Sequence, residues 1–423
     1  METEDTPLPA HKPAFLRRVQ IRGYKSIAFC DVTLEPLTIL VGRNASGKSN
    51  FLDALGFLRD VVKYGVREAV KQHGGADAIL CKSIVNSTTV RFEIDCCFEA
   101  VLIVELKTPS KRWLTQYRLD ISFQNLSNPV ISLEACHCKP DDGTPSEKFS
   151  AKDGRFNMPE RVPSSIRTDI FHVILKSAMD GPYGRLADLI KSFQNHSFNP
   201  DVLRVPQSPA PYQPLDFNGS NLSSVLETTQ AIDAGSVVKI GRYLNSIVPQ
   251  ILFSGADRVA GYQILSFRSP IGSELNDPDF NASSMSDGTL RALAALTAVF
   301  QNVHEDQDLS LVAIEEPETA LHPAAMRALV SAFDAATMRT QVLLTTHSPD
   351  LLDAEEIKPE NVRIVQMIDG QTVIGPIDEA SAEIVRRNLD TLGGLERNDS
   401  LHIDFDDLQR QTALAEQASD GQP

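Results

Sequence analysis

The sequence of 423 residues predicts an α/β fold, a mixed sheet flanked by helices with an antiparallel β subdomain and a helical, loop-rich insertion. Three observations predict it. An apolar strand runs into GRNASGKSN and on into a stretch of helical period. Residues 88–138 are crowded with β-forming runs. After residue 261, continuous apolar strands alternate with amphipathic helices, the pattern of a parallel sheet covered on both faces.

Taken in order, Leu16, Val19 and Ile21, then Val32 and Leu34, then Leu37, Ile39 and Val41 mark three short strands, with turns at Gly23 and around Glu35-Pro36. Phe51, Leu52, Leu55, Leu58 and Val62 then recur at helical spacing, so a helix opens at the lysine of GKS. Residues 1–87 form the first part of a head. TVRFEIDCCF, AVLIVEL, YRLDISF and VISLEAC read as antiparallel strands of a subdomain spanning 88–150. Residues 151–255 are rich in proline, serine and glycine, with helical turns in FHVILKSAM and RLADLIKSF. Residues 256–376 complete the head. GYQILSF is a strand, MSDGTLRALAALTAVF a turn opening a buried helix, LSLVAIEEPE a central strand and AAMRALVSAFDAA a helix. QVLLTTHSPDLLD is a second central strand, and VRIVQM with TVIGPI an edge hairpin. Residues 377–423 read as an acidic tail.

Hydrophobic residues make up 42% of the chain and charged residues 23%, ordinary proportions for a folded protein. No run of about 18 apolar residues offers a membrane span, and METEDTPLPAHKPAF lacks the charged-then-apolar order of a secretory signal. The expected location is the cytoplasm, with no membrane partner. A net charge of −16 opposes nonspecific nucleic-acid binding, which needs phosphate neutralisation. DNA contact would require a local basic patch, a groove formed between subunits, or a partner. Six cysteines show no CxxC pair; Cys136-His137-Cys138 reads as strand residues with reduced thiols rather than a metal site.

Gly42, Arg43, Asn44, Ala45, Ser46, Gly47, Lys48 and Ser49 form a full GxxxxGK[ST] match, with Asn50 next in line. Small residues there let backbone N–H groups wrap phosphates at a helix N-terminus. Lys48 would reach the β- and γ-phosphates, and Ser49 would ligate Mg²⁺. In LVAIEEPE, Glu315 would hold the hydration shell of the metal and Glu316 would act as general base on the attacking water. Ser286, Asp287 and Gly288 open a helix and offer a second anion site, although Ser286 or Asp287 would serve equally as its N-cap. His347 ends a further apolar strand, where it could sense the γ-phosphate. Thr319–Pro323 lies between, where a subunit-contacting loop is expected.

The ordered set GRNASGKSN, MSDGT, VAIEEPE, TALHP and TTHSPDLL resembles the ABC-type P-loop ATPases of the SMC, RecF and OLD group, and FNGSNLSSVL resembles the stand-alone AAA-type core branch. The resemblance implies an ABC-ATPase-like head that uses ATP and Mg²⁺. In it, Lys48 and Ser49 hold phosphate and metal, Glu316 is the base, His347 the switch, and Ser286 and Gly288 act in trans. Glu315 stands where aspartate is commoner. Gln116 and Gln124 are the two candidates for the family's glutamine loop. No long coiled coil and no CxxC hook occur, and HIDFDD (Asp404, Asp406 and Asp407) has too little chain around it for a nuclease domain, so it reads as solvated tail.

The expected function is ATP hydrolysis at composite sites of an ATP-closed homodimer. The resemblance further implies a motor or sensor controlling a separately encoded effector, a nuclease, in bacterial defence against phage or plasmid. A RecF-like repair ATPase binding DNA directly is the alternative. A small-molecule kinase would need an acceptor pocket or lid and no signature loop acting in trans, and an inert scaffold would not need both Glu316 and His347.

Overall fold

The computed structural model describes residues 15–84, 88–100, 111–123, 128–157, 170–177, 181–210, 213–249, 251–269, 279–301 and 309–419. The N-terminal strands β1 (Phe15–Tyr24), β2 (Ile27–Thr33) and β3 (Leu37–Val41) lead into α1 (Lys48–Tyr64). Two short helices follow, α2 (Val66–Gln72) and α3 (Ala76–Ile79). Then come β4 (Thr89–Ala100), β5 (Lys111–Phe123), β6 (Pro129–Pro140), β7 (Glu147–Lys152) and β8 (Arg155–Asn157). The middle of the chain holds α4 (Gly181–Lys191), β9 (Gln194–His196), α5 (Pro200–Arg204), α6 (Leu222–Ile232) and α7 (Ala234–Ile247). Next are β10 (Leu252–Val259), β11 (Tyr262–Arg268), β12 (Asp279–Asn281) and α8 (Asp287–Phe300). The run β13 (Leu311–Glu315), α9 (Pro323–Ala336), β14 (Gln341–Thr346) and α10 (Pro349–Leu352) precedes the hairpin of β15 (Val362–Ile368) and β16 (Gln371–Pro376). The chain closes with α11 (Glu379–Arg386), α12 (Leu392–Arg397) and α13 (Phe405–Ser419). No described helix is long and apolar enough to cross a membrane.

The strands form three sheets. The central one has the order β16-β15-β3-β14-β13-β9 and is parallel except for β16. Because alternate strand residues face opposite sides, its two faces feed different cores. Leu40, Ala313, Leu343 and Val365 join α1, α4 and the second sheet, while Ile39, Val41, Ile314 and Leu344 join α7, α8 and α9. That double burial is why β3 and β14 read as uninterrupted apolar runs. The second sheet is antiparallel, of order β2-β1-β4-β5-β6-β7-β8, so the β-rich middle of the sequence continues directly from the first two strands. The third sheet is β10-β11-β12.

Three expectations change. Gly23 lies inside β1, and the chain reverses at Lys25-Ser26, where Tyr24 pairs with Ile27 and Lys25 takes φ 49. The antiparallel strands run past residue 150 into the expected loop-rich insertion, through Glu147–Lys152 and Arg155–Asn157. The anticipated acidic tail is instead three helices, with Leu392, Leu395, Leu401, Ile403 and Ala415 buried. Helix α13 lies across β2 and β16, where Gln411 accepts from Asp31 N–H and donates to Ile374 C=O. Asp404 accepts from Asp407 N–H in the first turn of α13, so part of the acidity is helix-start chemistry.

Candidate active site

The loop Gly42–Gly47 joins the buried end of β3 to α1. Ala45 (φ 65) and Gly47 (φ 104) are both left-handed, which bends the backbone into a cradle. The hairpin β15–β16 walls it: a Cβ on Gly42 would lie 2.2 Å from Val365 C=O, and one on Gly47 would lie 1.9 Å from Thr372 Oγ1. Lys48, at the start of α1, is buried and folds its Nζ onto the carbonyls of Gly42 (2.6 Å) and Arg43 (3.0 Å). Burial lowers its pKa, opposed by the carboxylates of Glu316, Glu318, Glu315 and Glu396. Ser46 Oγ is buried and finds no partner among the described residues. Asn50 donates its amide to Ser26 Oγ at 2.6 Å. Asn44 is exposed, and Arg43 pairs with Asp399 at 2.9 Å. Both groups of that pair are about 80% exposed (82% and 80%), so it contributes little; the packing of Leu392 and Leu395 holds α12 in place.

The ends of β13 and β14 bring the acids and the histidine to this cradle. Ser49 Oγ donates to Glu315 Oε2 at 3.2 Å. Burial raises the Glu315 pKa, Ser49 works against it, and the charges of Glu316 and Asp53 add to it. Glu316 is left-handed at φ 43, and its N–H donates to Thr345 C=O (3.0 Å) and Thr345 Oγ1 (3.2 Å). A bulky residue in that region is strained, and here the bonds to β14 hold it. Glu316 Oε1 faces His347 Nδ1 at 3.2 Å, with both side chains partly open to solvent.

Residues outside the sequence expectation support this pair. Glu318 is buried and accepts from the Thr346 hydroxyl, while Thr346 Oγ1 accepts from Ser348 N–H at 2.9 Å. That chain fixes the backbone on both sides of His347. Glu318 is the last residue of LVAIEEPE, and nothing in its spacing distinguishes it from a surface acid.

The second anion motif is placed as a helix start. Ser286 caps α8, accepting from Thr289 N–H at 3.2 Å. Asp287 pairs with Arg204, and Gly288 packs so tightly that a Cβ would lie 2.3 Å from Ala320 C=O. Their described contacts are with Thr289, Arg204 and the Ala320-Leu321 turn, not with the phosphate cradle of the same chain. In that turn Ala320 has φ 66, and His322 caps α9. Gln116 lies in β5 and lines a groove with Arg18, Asp95 and His137, which no cradle residue lines; Gln124 falls outside the described residues. Cys136 and Cys138 place their thiols 3.7 Å apart on the buried face of β6.

Two family models match. "AAA ATPase domain" covers residues 15–199, with the cradle, and "AAA domain, putative AbiEii toxin, Type IV TA system" covers residues 183–353, with the acids and the histidine. This chain is an AAA-type P-loop ATPase. The AAA-type resemblance drawn from the motifs therefore stands, and the expected α/β architecture with a mixed and an antiparallel sheet is present. No curated protein matches the chain. Similar solved structures include an SMC head bound to the C-terminal winged-helix domain of ScpA (15% identity, 87% of this chain and 99% of that one, TM-score 0.49). Others are the SMC head domain from Thermotoga maritima (13%, 86% and 99%, 0.40) and one from Pyrococcus furiosus, with an extended coiled coil and bound to the C-terminal domain of ScpA (12%, 89% and 99%, 0.46).

Proposed function

We propose that this ATPase hydrolyses ATP between two copies of itself and uses the closing and opening to control a separate effector. The observation that carries the proposal is the pairing of Glu316 with His347 at 3.2 Å beside the Ser49–Glu315 pair. Glu316 takes the proton of the attacking water, and His347 orients the carboxylate and follows the γ-phosphate. Lys48 leaves the loop carbonyls to meet the β- and γ-phosphates. The donor set suits a hard cation: Ser49 Oγ and Glu315 Oε2 already sit 3.2 Å apart, and Mg²⁺ held there would neutralise charge between those phosphates. Ser286, Asp287 and Gly288 of one copy complete the site of the other, presenting a hydroxyl and the N-terminus of α8 to the γ-phosphate.

The family model that names a toxin of a type IV TA system supports a place in bacterial conflict, with an effector such as a nuclease gated by the dimer. The test is Glu316→Gln. It should bind ATP while hydrolysing it at least about 100-fold more slowly; unchanged turnover removes Glu316 from its role. Light scattering on this variant should show a rise from monomer to dimer with Mg-ATP. A mass indifferent to ATP removes the composite site.

A further inference from the structure

Four polar groups from three distant parts of the chain form one hydrogen-bonded line behind the cradle. Asn50 Nδ2 donates to Ser26 Oγ at 2.6 Å, Ser26 Oγ lies 2.6 Å from Thr372 Oγ1, and Thr372 Oγ1 donates to Ser46 C=O at 3.0 Å. Each hydroxyl has one proton. Since Thr372 gives its proton to Ser46 and Ser26 receives from Asn50, the proton of Ser26 goes to Thr372, and the line runs in one direction. Thr372 is buried, and its own N–H donates to Ser26 C=O at 2.8 Å, so the two residues are fixed by backbone as well.

The line ends on the carbonyl of the Ser46–Gly47 peptide. In a trans peptide, C=O and N–H point in opposite directions, and no cis bond occurs here. Drawing the Ser46 carbonyl toward the hairpin therefore aims the Gly47 N–H to the side away from it. Among the described residues that N–H donates to no one. Gly47 can make this approach only without a side chain, because Thr372 Oγ1 occupies the Cβ position.

The geometry points to Thr372 as a positioning residue for nucleotide: through Ser46 C=O it presets the Gly47 N–H to donate to a phosphate of ATP or ADP. The inference rests on the phosphate-loop reading above. It is tested by ADP titration calorimetry on the full chain, with melting temperatures taken without nucleotide, for wild type, Thr372→Val, Thr372→Ser and Ser26→Ala. Valine keeps the shape and removes the proton. Thr372→Val and Ser26→Ala should bind ADP about tenfold more weakly, the scale of one well-made hydrogen bond. The KM for ATP should rise while kcat holds, and Thr372→Ser should restore wild-type affinity.

Affinity within about twofold of wild type in Thr372→Val overturns the inference. So does an equal loss in Thr372→Ser, since packing of the methyl group would then be responsible. Should Thr372→Val fail to fold, Ser26→Ala decides alone, and unchanged affinity there overturns it. Wild-type protein that binds no ADP overturns the phosphate-loop reading itself.

Discussion

Ser286 is the N-cap of α8, and the proposed composite site would give it a second role that one substitution separates from the first. As an N-cap it accepts from Thr289 N–H; as part of a composite site it donates to phosphate. Aspartate caps a helix as well as serine does but carries a negative charge. Ser286→Asp should therefore leave the melting temperature of the free protein near wild type and abolish ATP-dependent dimerisation, read by light scattering. A variant that still dimerises with ATP leaves Ser286 as a cap only. Gly288→Ala should behave differently. Its new Cβ would meet backbone atoms of Ala320, which cannot swing aside, so the melting temperature should fall by several degrees. At this scale the sequence was legible where chemistry is crowded into a few consecutive positions, as in Gly42–Ser49 and Glu315-Glu316. It was silent where one hydroxyl supports another from far along the chain. Ser26 and Thr372 are 346 residues apart, and no spacing rule connects a lone serine to a lone threonine.

Between elements, the β1–β2 turn is fastened to the first turns of α1. Tyr24 and Lys25 both reach Asp53 Oδ2 at 2.5 Å, and Ser26 accepts from Asn50. The end of α2 adds His73, whose ring spans Asp53 (3.2 Å) and Asp60 (3.0 Å), with Tyr24, Lys25 and Arg59 around them. Burial disfavours the imidazolium, but the two carboxylates outweigh it and raise the pKa to about 9. The raised value sets the sign. The stabilisation is whole below about pH 6.5, the ordinary histidine value, fades from there to about 9, and is absent above. Thermal melts should show wild type losing more stability over that interval than His73→Gln; parallel curves would contradict the arrangement. The terminal helices show why an element can be missed. The buried face of α13 is narrow, with Gln411 and Ala415 among its few inward residues, and its acids cluster at the N-terminal end, which looks like a solvated run.

Over the whole molecule, strand–helix alternation revealed a two-faced sheet but could not reveal its order. Periodicity describes what a strand buries, not which strand lies beside it. Here β3, near the start, sits between β14 and β15, near the end. Strand β3 contacts Val342 to Thr346 on one side and Val362 to Ile364 on the other, so both its ladders join parts of the chain about 300 residues apart along the sequence. The phosphate cradle hangs from the end of that strand. On a ribosome it would therefore be made early and completed late: the lysine and its glycines emerge long before β14, β15 and Thr372 can hold them. A fragment of residues 1–340, carrying GRNASGKS, MSDGT and EEPE intact, should bind no ATP by calorimetry, and binding by that fragment would contradict this order of assembly. Until β14 and β15 are translated, the nascent chain holds an apolar strand with no neighbour on either edge, and this is the stage at which it would depend most on a chaperone.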